Sequence, residues 1–312
     1  IFNIAISHPK SINKHQDLNF YLTLSIIQIK MIIDEQYVKK LIIPRRSSSH
    51  KGENGTIGIV GGSRLYHGAP VLSAMGALRS GSDLAYLFVP EVIATPIRSI
   101  SPDLIVYPLP DSKITMGVAN KILNFRSNIT TFVIGPGMVN QKMNGLIKLV
   151  SGLEKKNINI ILDAGAINQE LIDNIEGNNV VVTAHLGEFK KLINKELNNE
   201  YEIGKELLDY AKNRNLIIVV KGETDYITDG NELFINKSGN SCMTKGGTGD
   251  ILAGVIASQL SVGQKALNAA IMGTYFMGKT GELVYEKWGF QFMNTELLSE
   301  LGSYLKKFNS IQ

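Results

Sequence analysis

Asn240-Ser241-Cys242-Met243-Thr244-Lys245-Gly246-Gly247-Thr248-Gly249-Asp250 runs directly into Ile251-Leu252-Ala253-Gly254-Val255-Ile256-Ala257. This stretch reads as a glycine-rich loop opening a helix. Gly246, Gly247 and Gly249 leave the backbone free to take positive φ and to approach a ligand closely. The helix behind them offers unpaired N–H groups and the positive end of its dipole. Together these make a hole for an anion such as phosphate. Asp250 sits at its mouth. Phosphoryl transfer asks for held phosphates, stabilised charge and an aligned acceptor hydroxyl that loses its proton. The plainer reading of Asp250 is a helix cap, and the two roles are compatible.

Upstream, the chain alternates short apolar runs with glycine-containing turns. Thr56–Val60 leads into Gly61-Gly62-Ser63, Leu84–Val89 into Pro90, and Thr131–Ile134 into Gly135-Pro136-Gly137. Ile158–Leu162 leads into Asp163-Ala164-Gly165, Val180–Thr183 into Ala184-His185-Leu186-Gly187-Glu188, and Leu216–Val220 into Lys221-Gly222-Glu223-Thr224-Asp225. Continuous apolar runs mark strands buried on both faces, hence a mostly parallel sheet covered by helices. Ala69–Arg79 reads as a small-residue helix ended by Gly81. Tyr226–Thr228 and Leu233–Ile235 around Asp229-Gly230 read as a hairpin. The functional-looking residues follow strands, which is where ligands bind in doubly wound sheets.

Each turn has a functional and a structural reading. Lys221 could steer a nucleotide phosphate, or belong to a surface turn. His185 could bond a substrate amide or phosphate. Glu188 could hold a Mg²⁺-bound water, or favour a helix first turn. Gly135-Pro136-Gly137 could lie against a flat ring, or be a tight turn. Gly61-Gly62-Ser63 with Tyr66-His67-Gly68-Ala69 could wall a substrate, or only connect strand to helix. His50-Lys51-Gly52 precedes the first core strand, where the lysine could meet an anion or be solvated. The chain has neither a G-x-G-x-x-G fingerprint nor a Walker lysine motif.

The 312 residues are 44% hydrophobic and 19% charged, enough for one large α/β domain. The net charge of +4 carries no basic block interleaved with aromatics, so nucleic acid is not an implied partner. The single cysteine, Cys242, forbids an intramolecular disulfide, which fits a reducing cytoplasm. The apolar run Phe20–Ile29 is too short to span a bilayer, and no small-residue cleavage site follows it. Residues 1–30 are expected to be an upstream extension outside the chemistry. Met31 is expected to open a short helix, and one domain to run from 31 to 312.

In order, Ser49-His50-Lys51-Gly52, Val60-Gly61-Gly62-Ser63, Tyr66-His67-Gly68-Ala69, Ala77-Leu78-Arg79-Ser80-Gly81, Gly135-Pro136-Gly137, Asp163-Ala164, His185-Leu186-Gly187-Glu188, Lys221-Gly222 and Gly246-Gly247-Thr248-Gly249-Asp250 closely resemble the ADP/ATP-dependent NAD(P)H-hydrate dehydratase family. The resemblance implies a ribokinase-like three-layer α/β/α sandwich. It implies repair of the 6S hydrate of NADH or NADPH: the C6 hydroxyl is phosphorylated from ADP or ATP, then phosphate is eliminated. Asp250 matches the family's base, which the helix N-terminus should keep ionised. Gly246, Gly247, Thr248 and Gly249 match its phosphate cradle, and Lys221, Gly222, Glu223, Thr224 and Asp225 its nucleotide segment. Ala69, Gly137 and His185 match positions that meet the hydrate. Mg²⁺ and a homotetramer are implied likewise. Where the family usually reads Thr-Pro-His-Pro-Gly-Glu, this chain has Thr183-Ala184-His185-Leu186-Gly187-Glu188, and loses the stiffness of two prolines. The residues before His50 are too few for the epimerase domain found in many relatives, so dehydratase activity alone is expected. Other readings are a ribokinase-like kinase for a small vitamin-type alcohol, or an adenylate-binding module without catalysis.

Overall fold

The computed structural model describes residues 29–312 apart from Asn178. One ten-stranded sheet has the order β1-β10-β9-β8-β7-β6-β5-β2-β3-β4, numbered along the chain. The strands are β1 (Ile29–Ile32), β2 (Thr56–Val60), β3 (Leu84–Pro90), β4 (Ile105–Leu109), β5 (Thr131–Ile134), β6 (Asn159–Asp163), β7 (Val180–His185), β8 (Ile217–Lys221), β9 (Asp225–Thr228) and β10 (Leu233–Asn236). Only β9 runs against its neighbours, in the expected hairpin with β10.

Two helical layers cover the sheet. One contains α1 (Glu35–Leu41), α2 (Gly68–Arg79), α3 (Glu91–Arg98), α9 (Thr248–Ser261), α10 (Ala266–Trp288) and α11 (Asn294–Leu305). The other contains α4 (Met116–Leu123), α5 (Met143–Glu154), α6 (Gln169–Asp173), α7 (Leu186–Ile193) and α8 (Glu200–Arg214). The apolar runs serve both layers. Val133 and Val181 enter the first core, while Ile134 and Val182 enter the second. Each such side chain contributes about 1.5–3 kcal/mol by leaving water. A mostly parallel sheet covered by helices is what those runs predict, and the three-layer sandwich is the fold that the resemblance implies.

Two small residues set the position of α9. A Cβ on Gly254 would lie 1.9 Å from the Ser73 carbonyl oxygen of α2, and one on Gly76 would lie 2.7 Å from that of Ile251. The helices therefore approach backbone to backbone, and α2 fixes where the N-terminus of α9 points.

At the amino edge, Met31 and Ile32 belong to β1, which pairs with β10. The helix expected from Met31 begins instead at Glu35, after Asp34 Oδ1 caps the Tyr37 N–H at 2.7 Å. β1 begins at Ile29, which pairs with Leu233, and Lys30 lies at an irregularity before Met31, so residue 30 sits within a strand. The apolar run from Phe20 lies, but for Ile29, outside the described residues. The His50-Lys51-Gly52 motif lies before β2, at the sheet end opposite the glycine loop. There Asp83 Oδ2 accepts from the Gly52 and Asn54 amides at 2.8 and 3.1 Å.

Candidate active site

The carboxyl ends of β6, β7 and β8 converge on the start of α9. Gly247, at φ +100°, is the residue before the first helical one. Thr248 closes the turn: its N–H donates to the Lys245 carbonyl at 3.3 Å, and its hydroxyl donates to the Met243 and Lys245 carbonyls at 2.8 and 2.9 Å. Among the described residues, the amides of Gly246, Gly247, Gly249 and Asp250 have no hydrogen-bond partner. They form a row of free donors at the positive end of a helix, which is an anion cradle.

Asp250 is not the cap of α9. Gly247 holds the cap position, and no side chain makes a cap hydrogen bond there. Asp250 lies in the first turn, half-buried, with no hydrogen bond to its carboxylate among the described residues. Burial pushes its carboxyl up to about 7, the Asp163 carboxylate adds to the rise, and the Lys221 ammonium opposes it. The expectation that the helix N-terminus keeps Asp250 ionised is corrected here. A dipole contributes about 0.3–1 kcal/mol, less than one pKa unit, and burial outweighs it.

Lys221 ends β8 and reaches into the cradle. Its Nζ lies 3.3 Å from where a Cβ on Gly249 would stand. A Cβ on Gly249 would therefore crowd the ammonium and require it to shift by a few tenths of an ångström. Lys221 donates to Asp163 Oδ1 at 3.1 Å, and the same oxygen accepts the Thr183 hydroxyl at 2.8 Å. Asp163 is 2% exposed, so its pairing with Lys221 is what keeps a carboxylate tolerable there. Burial would lower the Lys221 pKa, but the Asp163 carboxylate outweighs it and holds it above the usual lysine value.

The rest of the nucleotide segment is shaped from within. Asp225 accepts from the Gly222 N–H and from Asn236 Nδ2, both at 3.0 Å. Burial raises its carboxyl to about 6. Asp225 thus folds the Lys221–Thr224 turn back on itself, while Gly222 and Glu223 are exposed and Thr224 partly so.

His185 stands beside Lys221 in the β7–β8 ladder. It caps α7 in a reciprocal pair: Nδ1 accepts the Glu188 N–H at 3.1 Å, and Glu188 Oε2 accepts the His185 N–H at 2.8 Å. Nδ1 therefore carries the lone pair, leaving Nε2 to donate. This capping box supplies the order that two prolines would otherwise give. Ala184 is fully buried in its core and Leu186 packs against that core. One Glu188 oxygen is committed to the cap, so the structural reading of Glu188 holds, with its other oxygen left for a water-held cation.

Ala69 and Gly137 meet at the switch point of the sheet, where β2 and β5 are neighbours. Gly62 donates to the Pro136 carbonyl at 2.8 Å. Gly137 has φ +69°, and a Cβ there would lie 2.4 Å from the Tyr66 carbonyl oxygen and 3.0 Å from the Ala69 Cβ. Gly135, at φ +125°, abuts the Asp163 carbonyl. The loops after β2, β5 and β6 are therefore interlocked through backbone. Asp163 and Thr183 were not singled out by sequence reasoning as site residues. The signal available was an acid ending a buried apolar run, which needs a partner.

Among the described residues no group of three or more His, Cys, Asp or Glu side chains could cage a metal. Mg²⁺ commonly keeps its waters and binds through substrate phosphates and one or two carboxylates, an arrangement that Glu188 and the cradle fit.

The family described as NAD(P)H-hydrate dehydratase matches residues 57–302. The chain belongs to this family. It is 40% identical over 276 residues to the ADP-dependent (S)-NAD(P)H-hydrate dehydratase of Nitrosopumilus maritimus (strain SCM1), covering 88% of this chain and 96% of the relative. It is 38% identical over 283 residues to the enzyme of the same description from Cenarchaeum symbiosum (strain A), covering 90% and 99%. Among solved structures, the ADP/ATP-dependent NAD(P)H-hydrate dehydratase from Bacillus subtilis, co-crystallized with ATP/Mg²⁺, is similar at a TM-score of 0.77 and 25% identity, covering 89% of this chain and 98% of that one. The ribokinase-like fold and the family expected from the ordered motifs both hold.

Proposed function

We propose that this chain is an ADP-dependent (S)-NAD(P)H-hydrate dehydratase, a lyase. It restores NADH or NADPH from the 6S hydrate and converts ADP to AMP and phosphate. The observation that carries this reading is the half-buried Asp250 carboxylate beside four amides, all without a hydrogen-bond partner among the described residues, and one ammonium.

The terminal phosphate of ADP lies in the cradle of Gly246, Gly247, Gly249 and Asp250 amides, with Lys221 neutralising charge from the side. Asp250 takes the proton of the C6 hydroxyl. The oxygen then bonds to the terminal phosphorus as the bond to the bridging oxygen breaks, and AMP leaves. The ring nitrogen's lone pair next expels the phosphate from C6, restoring the double bond as the adjacent carbon gives up a proton. Asp250's pKa near neutrality suits a general base at physiological pH. The ring lies against Ala69 and Gly137. His185 Nε2 donates to the carboxamide. Lys221, Gly222, Glu223 and Thr224 follow the nucleotide, and Asp225 shapes their turn. Glu188, through water, and the bound phosphates would hold Mg²⁺, which would supply charge neutralisation. The catalytic unit is one domain beginning near β1, working in the cytoplasm as a homotetramer.

The reading is tested by incubating the protein with 6S-NADH hydrate and ADP while following NADH absorbance. Recovery of NADH with equimolar AMP supports it. Turnover of a thiazole alcohol with ATP, and none of the hydrate, would favour the kinase instead. The names of both relatives favour the dehydratase.

A further inference from the structure

We infer that Asn294 is a positioning residue for the phosphate cradle, an inference that rests on the nucleotide site proposed above. Asn294 begins α11, yet its Nδ2 donates 2.7 Å to the Gly246 carbonyl, 48 positions earlier. A Cβ on Gly247 would lie 2.4 Å from that same nitrogen. The side chain thus fills the space that glycine leaves open and pins the Gly246–Gly247 peptide from behind. Its Oδ1 is buried and has no hydrogen-bond partner. Rotating the amide to relieve that oxygen would set it against the Gly246 carbonyl, so the orientation is fixed. An orphaned buried acceptor is costly, and among the described residues no other side chain donates to the Gly246 carbonyl.

The neighbouring contacts act in the same direction. Lys245 Nζ donates 3.4 Å to the Phe290 carbonyl and lies 4.9 Å from the centroid of the Phe292 ring. The connection between α10 and α11 therefore grips the loop at Lys245, Gly246 and Gly247. Gly247 holds φ +100°, and two of the free cradle amides belong to Gly246 and Gly247. Freeing the Gly246 carbonyl lets the Gly246–Gly247 peptide rotate and takes the Gly247 amide, which shares that plane, off line.

The test compares Asn294→Ala and the isosteric Asn294→Asp with the unmodified chain. ADP dissociation constants come from calorimetry, Michaelis constants from NADH recovery, and Tm from a thermal scan. Asn294→Ala is expected to weaken ADP binding about tenfold, the loss of one hydrogen bond and its ordering. Asn294→Asp is expected to weaken it further, because a carboxylate then faces both the Gly246 carbonyl and the phosphates. The Michaelis constant for the hydrate stays within about twofold. ADP affinity within twofold of the unmodified chain in both variants overturns the inference. So does affinity lost only in step with global unfolding. If the unmodified chain binds ADP but does not turn over the hydrate, the functional reading fails while the ADP comparison still decides the role of Asn294.

Discussion

The two ends of the site are built on different principles. At the phosphate end, around Gly246–Asp250, four amides and the Asp250 carboxylate have no hydrogen-bond partner among the described residues, and the Lys221 ammonium is held from one side by Asp163. At the ring end, where Gly62 meets Pro136 and Gly137 meets Tyr66 and Ala69, the backbone is closed on itself. The first end stores charge and the second stores shape. Damage at the first should appear in the chemical step and in nucleotide binding. Damage at the second should appear in hydrate binding and in stability.

The sharpest way to break that contrast is Asp250→Asn. It keeps shape but removes the base, so kcat should fall about 10²–10⁴-fold while ADP affinity, measured by calorimetry, changes little. Next in size is Lys221→Met, expected to raise the KM for ADP about 10–100-fold through loss of a charge-assisted contact. It also strips buried Asp163 of its counter-charge, so a thermal scan should show a lower Tm. At the ring end, Gly137→Ala places a methyl against the Tyr66 carbonyl at positive φ. It should cost about 1–3 kcal/mol of stability and raise the KM for the hydrate, leaving the KM for ADP unchanged. A rise in the ADP value instead would erase the distinction between the two ends.

A smaller effect tests whether Asp250 is strained. A carboxyl whose folded pKa lies near 7, above its ordinary 3.8, binds its proton more tightly in the folded state. Stability therefore falls as pH rises from about 4 to about 7 and stays lower above that. Asp250→Asn lacks the titration, so its Tm should exceed that of the unmodified chain at pH 8 and match it near pH 4. Equal Tm values at both pH values would place Asp250 in a relaxed setting.

The sheet was legible because β2, β3 and β5 to β8 are continuous apolar runs, which only a doubly covered sheet explains. The edges were not. β4 contains Pro108, which disfavours a strand except at an edge, and β4 is an edge. β1 is four residues long, and Met31-Ile32 before an acidic residue carries a helical pattern as readily. In the site, the loop, the base and the strand-end lysine were readable because each sits inside a local motif. The pairings of Asp163 with Lys221 and of Asn294 with Gly246 were not, since the partners are 58 and 48 positions apart. Nor did local sequence give the protonation of Asp250. The helix N-terminus is visible in the chain, whereas burial and the Asp163 charge arise only once β6 and α9 are brought together.

The most direct test is the pH dependence of kcat/KM for hydrate turnover with saturating ADP, which reports the ionisation of the enzyme before the hydrate binds. The base must be ionised, so the value should fall about tenfold per unit below pH 7 in the unmodified chain, and the residual rate of Asp250→Asn should show no such limb. A flat profile from pH 5.5 to 8, or the same acid limb surviving in Asp250→Asn, would contradict the assignment of Asp250 as the group that takes the proton.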